Sequence, residues 1–199
     1  MGPTTVNTEK APMPLPLLDG KDTDPLVQTW FEIVHLKQLY RKGWLDRGLD
    51  PTRCETVAEH SFGNAMLCLL LVSKHPALNA EKVLRMALVH DLGEAYVGDI
   101  TPSDNVPKSD KSEREHAALK RILGKLPNGE DLLDIWLEYE QQSSPEAKFV
   151  KRIDRLELAL QAAVYEHQGL IEAREFYRAV LPQLPPDLAA LFQDLVVLD

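Results

Sequence analysis

Apolar residues recur at intervals of three and four along most of the chain, and this period constrains the fold more than any other feature. One such series lies close to the N-terminus and comprises Leu26, Trp30, Ile33, Leu36 and Tyr40. This spacing places the residues on one face of an α-helix. No segment shows the alternation of apolar and polar residues that is typical of a half-buried strand. The sequence therefore predicts an all-α fold, a compact bundle of six to eight helices.

Capping residues and helix breakers divide the pattern into separate helices. Asp24-Pro25 is a typical helix start, and Gly43 and Pro76 are typical helix ends. The predicted ranges are 25–43, 56–74, 79–95, 109–126, 130–142 and 144–169, followed by one or two shorter helices near 171–181 and 187–197. Residues 1–23 hold several prolines and no helical period, which predicts a flexible tail. The remaining residues, 24–199, are predicted to form one domain.

The charge balance limits the classes of partner. The chain has 22 Lys and Arg against 31 Asp and Glu, a net charge of −9, which argues against a broad nucleic-acid-binding surface. The longest uncharged stretch, residues 61–73, is shorter than the roughly 20 residues of a membrane-spanning helix, so no membrane partner is expected. The only cysteines, Cys54 and Cys68, have no metal-site spacing. With no secretory signal pattern, these features favour a cytoplasmic protein.

The pair His90-Asp91 places two strong metal ligands directly after an apolar helical run. Adjacent helical residues diverge by about 100°, so both side chains can reach one ion beside the helix. Glu94 follows four residues after His90 and shares its face. A helix that ends in a polar turn would give the same pattern. However, two acidic groups near a helix C-terminus oppose the helix dipole, which makes a purely structural role less natural.

Two further residues complete a possible ligand set. His60 lies near the start of the second predicted helix, and Asp154 interrupts the apolar face of the longest one. Burying a carboxylate is costly unless it is paired or binds a metal, and an ion pair with a neighbouring cation is the alternative for Asp154. Two imidazoles and two carboxylates suit divalent Mn, Fe, Co, Ni or Zn without selecting one. The other histidines are predicted to be surface residues: His35, His75, His116 and His167.

Five segments in this order resemble the HD-domain phosphohydrolases, and more narrowly the HD-domain 5′-deoxynucleotidases. The segments are ETVAEHS (55–61), ALVHDLGE (87–94), VGDITP (97–102), DNVPK (104–108) and SSPEAKFVKRID (143–154). The His-Asp pair alone is a weak signal, but the ordered set is specific. The resemblance spans about residues 30–168 and implies the compact helical HD-domain fold.

The resemblance implies a function and a role for each matching residue. His60, His90, Asp91 and Asp154 would hold one divalent transition metal (Mn, Co, Zn, Ni or Fe). The substrates would be deoxyribonucleoside 5′-monophosphates, which are hydrolysed to deoxyribonucleoside and phosphate by a metal-activated water. Asp91 and Glu94 would be catalytic, with Glu94 orienting the water. Trp44 would lie beside the sugar and favour its 2′-deoxy form. Asp99, Ile100, Thr101 and Pro102 would line the sugar and phosphate side. Family members are often homodimers, so a homodimer is expected.

The chain departs from this pattern where the phosphate would be held. Some relatives place an arginine directly before the tryptophan, whereas this chain has Gly43, with Arg41 and Lys42 upstream and Arg47 downstream. Which cation orients the phosphate therefore stays open. Two other functions also remain: a phosphohydrolase for another nucleotide (a triphosphate, a cyclic dinucleotide or an alarmone) and a non-catalytic metal-binding regulatory protein.

Overall fold

The computed structural model describes residues 7–191, and the regular secondary structure within them is helical. The α-helices are α1 (Pro25–Ile33), α2 (Lys42–Leu45), α3 (Val57–Val72), α4 (Ala80–Val89), α5 (Glu94–Val97), α6 (Lys108–Leu123), α7 (Gly129–Gln141), α8 (Pro145–His167), α9 (Arg174–Val180) and α10 (Pro186–Ala190). Four short 3₁₀ segments connect them, at Leu15–Leu18, Val34–Lys37, Pro102–Asp104 and Leu181–Gln183.

The predicted all-α class is confirmed. Seven of the α-helices in the described range have seven residues or more, which agrees with the predicted six to eight. Extended pairing within residues 7–191 is limited to two isolated bridges, Glu9 with Leu39 and Tyr40 with Thr56. None of the helices in this range is long and apolar enough to cross a membrane. The predicted helix at 187–197 extends past the described residues.

Three helices form the centre of the bundle. α3 packs against α4 and α8, α4 also packs against α7 and α8, and α6 covers α7. The side chains of Val57, Met86 and Ile153 are fully buried where these helices meet. Truncating a buried side chain of this kind costs about 2–5 kcal/mol, so these contacts hold the three helices in register. Thr56 fixes the start of α3 through a reciprocal capping box with Glu59.

Two predicted helices are interrupted, and one begins earlier than expected. The first ends at Ile33, continues as the 3₁₀ turn Val34–Lys37 and then becomes extended, because Leu39 and Tyr40 pair with Glu9 and Thr56. The third ends at Val89, and the chain turns before α5. Ser109 was predicted as an N-cap but lies inside α6, whose N-cap is Pro107.

Part of the predicted N-terminal tail contacts the domain. The backbone N–H of Lys10 donates to the carbonyl of Gln38 (2.7 Å), and that of Tyr40 donates to the carbonyl of Thr8 (3.0 Å). Residues 8–10 therefore run beside the extended segment 38–40. The flexibility predicted for residues 1–23, and the domain boundary at 24, stay predictions.

Candidate metal centre

The break after α4 positions the His-Asp pair. His90 caps the C-terminus of α4, and a tight turn leads from it to Glu94, where α5 begins. The turn packs closely against α6: a Cβ at Gly93 would lie 2.9 Å from the Cβ of Glu115 and 3.0 Å from its carbonyl oxygen. Glycine at this position therefore lets the turn pack against α6. This packing fixes the position of the turn that carries His90, Asp91 and Glu94.

Three of the four predicted ligands meet between α3 and this turn, and the fourth, Asp154 on α8, lies beside His60. His60 Nε2 lies 3.2 Å from Asp154 Oδ1 and 3.6 Å from Asp91 Oδ2, and His90 Nε2 lies 3.1 Å from Asp91 Oδ2. Two ligand atoms that share one ion at metal–ligand bonds of about 2.1 Å are about 3.0–3.4 Å apart. Ligand atoms of His60, His90 and Asp91 lie within 4.8 Å of one another, close enough to share one cation, and Asp154 adjoins this group through its contact with His60.

The orientation of the two imidazoles favours metal binding. His90 Nδ1 lies 2.8 Å from the carbonyl oxygen of Ala87, which only accepts, so Nδ1 carries the proton. His60 Nδ1 lies 2.6 Å from Glu157 Oε2. Both Nε2 atoms are buried and lack a hydrogen-bond partner among the described residues. Buried orphan nitrogens are costly in a folded protein, and a divalent cation would satisfy both of them.

The charges around the centre keep its carboxylates ionised. Burial alone would raise the pKa of Asp154, but Lys151 and His60 overcome it and hold that pKa well below its ordinary value. Burial alone would raise the pKa of Asp91, but the charges of His90, His60 and Arg41 outweigh burial and hold that pKa below its ordinary value. Burial lowers the pKa of His60, yet Asp154 and Glu157 raise it to about 10. A metal ion would therefore replace a proton at His60.

Glu94 lies beside the ligands without being one of the four. Its side chain is 3% exposed, and its Oε2 has no hydrogen-bond partner among the described residues. Lys111 Nζ is 3.8 Å from its Oε1. Burial, with the nearby charges of Asp91 and Asp99, raises the pKa of Glu94 well above its ordinary value. A buried carboxylate with a raised pKa is a strong proton acceptor when it is ionised.

A cavity of about 600 Å³ opens over the centre, a volume suited to a small organic molecule. Its lining includes two of the four ligands together with Glu94. The other lining residues that the sequence had singled out are Arg41, Trp44, Arg47, Asp99, Ile100, Thr101 and Pro102. Because His60 and His90 are almost fully buried beneath this floor, the cavity presents its carboxylates and cations to an incoming ligand.

Of the basic residues near Trp44, Arg41 approaches the metal centre most directly. Its Nη1 lies 3.4 Å from Asp99 Oδ1 and 3.9 Å from Asp91 Oδ2. Lys42 does not line the cavity: its Nζ pairs with Asp46 (2.7 Å) and Asp104 (3.0 Å). The backbone N–H of Lys42 donates to Asp99 Oδ2 at 2.8 Å and so fixes that carboxylate. Arg47 stacks over the ring of Phe176 at 4.3 Å, along the cavity wall.

Trp44 is both a core residue and a wall of the cavity. Its side chain is buried against Tyr165 and Phe176, with ring centroids 5.2 and 4.7 Å away. Its indole N–H donates to Glu55 Oε1 at 2.7 Å. Elsewhere in the lining, Thr101 caps the turn Pro102–Asp104 through a reciprocal hydrogen-bond pair with Asp104. Both parts of the lining are thus held by hydrogen bonds and packing.

The ion pair that the sequence offered for Asp154 is present. Lys151 Nζ donates to Asp154 Oδ2 (2.8 Å) and to the hydroxyl of Tyr139 (2.9 Å), and Lys151 lines the cavity. Other lining residues were missed by the sequence analysis, among them Lys111. α9 contributes four lining residues from a region without motifs: Glu175, Phe176, Ala179 and Val180. The spacing of Lys151, three residues before Asp154, was a usable signal for its contact. Nothing in the local pattern of α9 marked its position.

His35 was predicted to lie at the surface, and that prediction is wrong. Its side chain is buried, and its Nδ1 donates to the carbonyl oxygen of Ala95 at 2.7 Å. This carbonyl lies in the short helix α5, so the contact ties the N-terminal segment to the turn that carries the His-Asp pair. The partner of His35 is a backbone carbonyl 60 residues away, so no spacing of side chains in the sequence could indicate that this histidine is buried.

Comparison with known proteins agrees with this geometry. Residues 33–195 match the family model of the HD domain. The chain belongs to the HD domain family. The 5′-deoxynucleotidase HDDC2 of Bos taurus is 40% identical to it over 155 residues, which cover 77% of this chain and 74% of the relative. The Homo sapiens protein of the same name is 42% identical over 149 residues, covering 74% and 71%.

Solved structures of HD relatives have the same architecture. A conserved hypothetical protein from Pyrococcus furiosus superposes with a TM-score of 0.71 at 30% identity, covering 85% of this chain and 98% of that one. A protein described as a metal-dependent phosphohydrolase, from Magnetospirillum magnetotacticum, gives a TM-score of 0.66 at 30% identity, with coverage of 86% and 91%. The bundle that holds the His-Asp pair is thus common to this family.

Proposed function

We propose that this chain is a metal-dependent 5′-deoxynucleotidase that hydrolyses deoxyribonucleoside 5′-monophosphates. One observation carries the proposal: His60, His90, Asp91 and Asp154 converge beneath a cavity of about 600 Å³. This convergence occurs in a chain about 40% identical to proteins named 5′-deoxynucleotidases. The family match supports the fold, and the names of the relatives support the substrate class.

The four residues are proposed to hold one divalent ion, and their oxygen and imidazole donors suit Mn, Co, Zn, Ni or Fe. Such an ion, when bound, lowers the pKa of a water toward neutrality and offsets charge on the phosphoryl oxygens. The hydrogen bonds at both Nδ1 atoms leave Nε2 as the metal-binding nitrogen of each ring, and at His60 the ion would displace a proton. His90 and Lys151 are the largest of the charges that keep Asp91 and Asp154 ionised, so the two carboxylates can bind an ion without first losing a proton.

Glu94 is proposed to orient the attacking water and accept its proton, with Asp91 the catalytic ligand beside it. The free Oε2 of Glu94 gives the water an acceptor inside the site. Its raised pKa makes the ionised carboxylate a better base than an exposed glutamate. Lys111, 3.8 Å away, partly offsets the charge that Glu94 carries in its ionised form.

The cavity walls suggest how the nucleotide binds. Arg41 is the proposed phosphate ligand, because its guanidinium lies between Asp91 and Asp99 at the cavity floor. The backbone N–H of Lys42 donates to Asp99, whose carboxylate is proposed to accept a hydrogen bond from a sugar hydroxyl. Trp44 supplies a rigid wall beside the sugar, where an added 2′-hydroxyl would need space and a partner. Ile100, Thr101 and Pro102 are proposed to line the rest of the sugar and phosphate side.

Two finer expectations accompany the proposal. A homodimer is expected, and an exposed apolar row on α3 offers a surface for it: Phe62, Met66, Leu69 and Leu70. The molar mass in solution, by light scattering, tests this. A cytoplasmic location is expected because both cysteines, Cys54 and Cys68, are free and buried, which suits a reducing compartment.

A substrate panel tests the proposed reaction. Mn-loaded protein is incubated with deoxyribonucleoside and ribonucleoside 5′-monophosphates, a deoxynucleoside triphosphate and a cyclic dinucleotide. The nucleoside and nucleotide products are separated by chromatography, and inorganic phosphate is measured for the monophosphates. The proposal predicts release from the monophosphates, faster for the deoxy series. Turnover of only the triphosphate or the cyclic dinucleotide would assign the site to another nucleotide. Metal uptake without turnover of any substrate would indicate a regulatory protein.

A further inference from the structure

A carboxylate outside the ligand set contacts the metal-binding histidine of α3. Glu157 Oε2 lies 2.6 Å from His60 Nδ1, on the side of the ring opposite Nε2. Glu157 follows Asp154 by one turn of α8, so both residues face His60 from the same helix. Its side chain is 8% exposed, and it lies outside every segment that carries the family resemblance.

We propose that Glu157 is a positioning residue that fixes the tautomer and orientation of His60 for the metal, and that Gly63 makes the room it needs. The proposal rests on the metal centre of the proposed function but not on its substrate. A carboxylate that accepts from Nδ1–H keeps the Nε2 lone pair directed at the ion and makes it more basic. His90 has the weaker counterpart, the carbonyl of Ala87.

The space around Glu157 depends on a glycine. A Cβ built at Gly63 would lie 2.6 Å from Glu157 Oε1 and 3.3 Å from its Cδ and Cγ. Gly63 lies inside α3, where glycine favours the helix less than alanine does. Its φ is not positive, so the backbone does not require glycine. The close approach of Glu157 is the contact in the described structure that explains it.

The alternative role for Glu157 is as a ligand of a second metal ion. Glu55 also lies near, and a carboxylate oxygen of Glu55, one of Glu157 and a ring nitrogen of His60 are within 4.8 Å of one another. However, the 2.6 Å between His60 Nδ1 and Glu157 Oε2 is shorter than the about 3.0 Å expected for two ligands of one ion. Glu55 Oε1 already accepts from the indole of Trp44. A hydrogen bond to His60 explains the distances.

Metal affinity, measured by competition with a chelator, tests the role of Glu157. Glu157→Ala removes the acceptor and is expected to weaken Co²⁺ or Mn²⁺ binding about 10- to 100-fold, the usual effect of losing such a partner. Glu157→Gln keeps a hydrogen-bond acceptor without the negative charge, so it should weaken metal binding less than Glu157→Ala does. The absorption spectrum of the Co²⁺ form should change in both variants, because the ligand field at His60 changes. The result does not depend on turnover, so it is separable from the nucleotidase assignment.

A matched control separates positioning from folding. Glu32 is equally buried, accepts from the Tyr96 hydroxyl at 2.6 Å and pairs with Lys125, away from the ligands. Glu32→Gln should lower thermal stability and leave metal affinity and the Co²⁺ spectrum unchanged. Unchanged affinity in both Glu157 variants would overturn the proposal. So would uptake of two ions by the wild type and one by Glu157→Ala, since that would make Glu157 a ligand.

A double-mutant cycle tests the part played by Gly63. Gly63→Ala should weaken metal binding although alanine favours the helix, because the added methyl displaces the Glu157 carboxylate. Glu157→Asp is too short to keep the contact with His60 and should weaken binding by itself. The double variant should bind as Glu157→Asp does, since one contact cannot be lost twice. Additive losses, or full affinity in Gly63→Ala, would refute the link between these two residues.

Discussion

His60 Nε2 lies 3.2 Å from Asp154 Oδ1, which joins the first turn of α3 to the middle of α8. Both helices are anchored in the core by fully buried neighbours, Val57 on α3 and Ile153 on α8. The ligands are therefore placed by the same packing that stabilises the bundle. A centre built on rigid helices is preorganised, so metal binding should cost little rearrangement.

Metal binding should stabilise the fold. A cation that binds only the folded chain adds about 2.7 kcal/mol at a free concentration 100 times its dissociation constant. For a chain of this size that raises Tm by roughly 5–10 °C. Scanning calorimetry with and without Co²⁺ measures the shift. Asp154→Asn should fold but show no shift, and an equal shift in that variant would remove Asp154 from the ligand set.

Arg41 and Lys42 should differ in their effects, although they are neighbours. Arg41→Ala should lower kcat/KM for a deoxynucleoside monophosphate about 10- to 100-fold, the effect of losing a charged hydrogen bond to phosphate. Lys42→Ala should change it little, because its ammonium is already paired with Asp46 and Asp104 and does not line the cavity. Steady-state kinetics of both variants decide the question. A larger loss in Lys42→Ala would make Lys42 the phosphate ligand.

Glu94→Gln should separate catalysis from metal binding. The amide keeps the shape of the side chain but cannot take a proton, so kcat should fall about 10²- to 10⁴-fold. Metal content should stay at the wild-type level, because Glu94 is not one of the four ligands. Elemental analysis and phosphate release on the same samples test both statements. Loss of the metal would instead place Glu94 among the ligands.

Glu115 should make the stability depend on pH. Burial, opposed by Lys111, raises its pKa from 4.5 to about 7. The folded chain therefore binds more protons than the unfolded chain between pH 4.5 and 7. The stability from the protonated group is complete below pH 4.5 and is lost as pH rises through 7. Glu115→Gln should accordingly raise Tm by several degrees at pH 8, relative to wild type, and change it little at pH 4.5.

Thermal unfolding of metal-free protein across this range provides the test. Glu113, two residues earlier on α6, is exposed, so Glu113→Gln serves as the control with no expected pH-dependent effect. An identical Tm difference at pH 4.5 and pH 8 for Glu115→Gln would show that its carboxyl does not titrate with a raised pKa.

The sequence predicted the helical class and the metal-ligand candidates, but not all of the site. His60, His90, Asp91 and Asp154 were identifiable as candidate ligands because they are strong donors within largely apolar helical patterns and because the segments that resemble the HD-domain family contain all four. The sequence could not distinguish Arg41 from Lys42 as the candidate phosphate ligand. The structure separates them, because the extended segment before α2 directs adjacent side chains to different partners. The contribution of α9, including Phe176, depends on how α9 packs against α8 and Trp44, which no local pattern records.

The most direct test of the account is a metal titration of metal-free protein, followed by phosphate release from a deoxyribonucleoside 5′-monophosphate. Release should be absent without metal, rise in proportion to added Mn²⁺ or Co²⁺, and reach its plateau at one ion per chain. Asp154→Ala should stay inactive throughout the titration. Metal-independent release, or a rise that continues to two ions per chain, would contradict a single centre formed by His60, His90, Asp91 and Asp154.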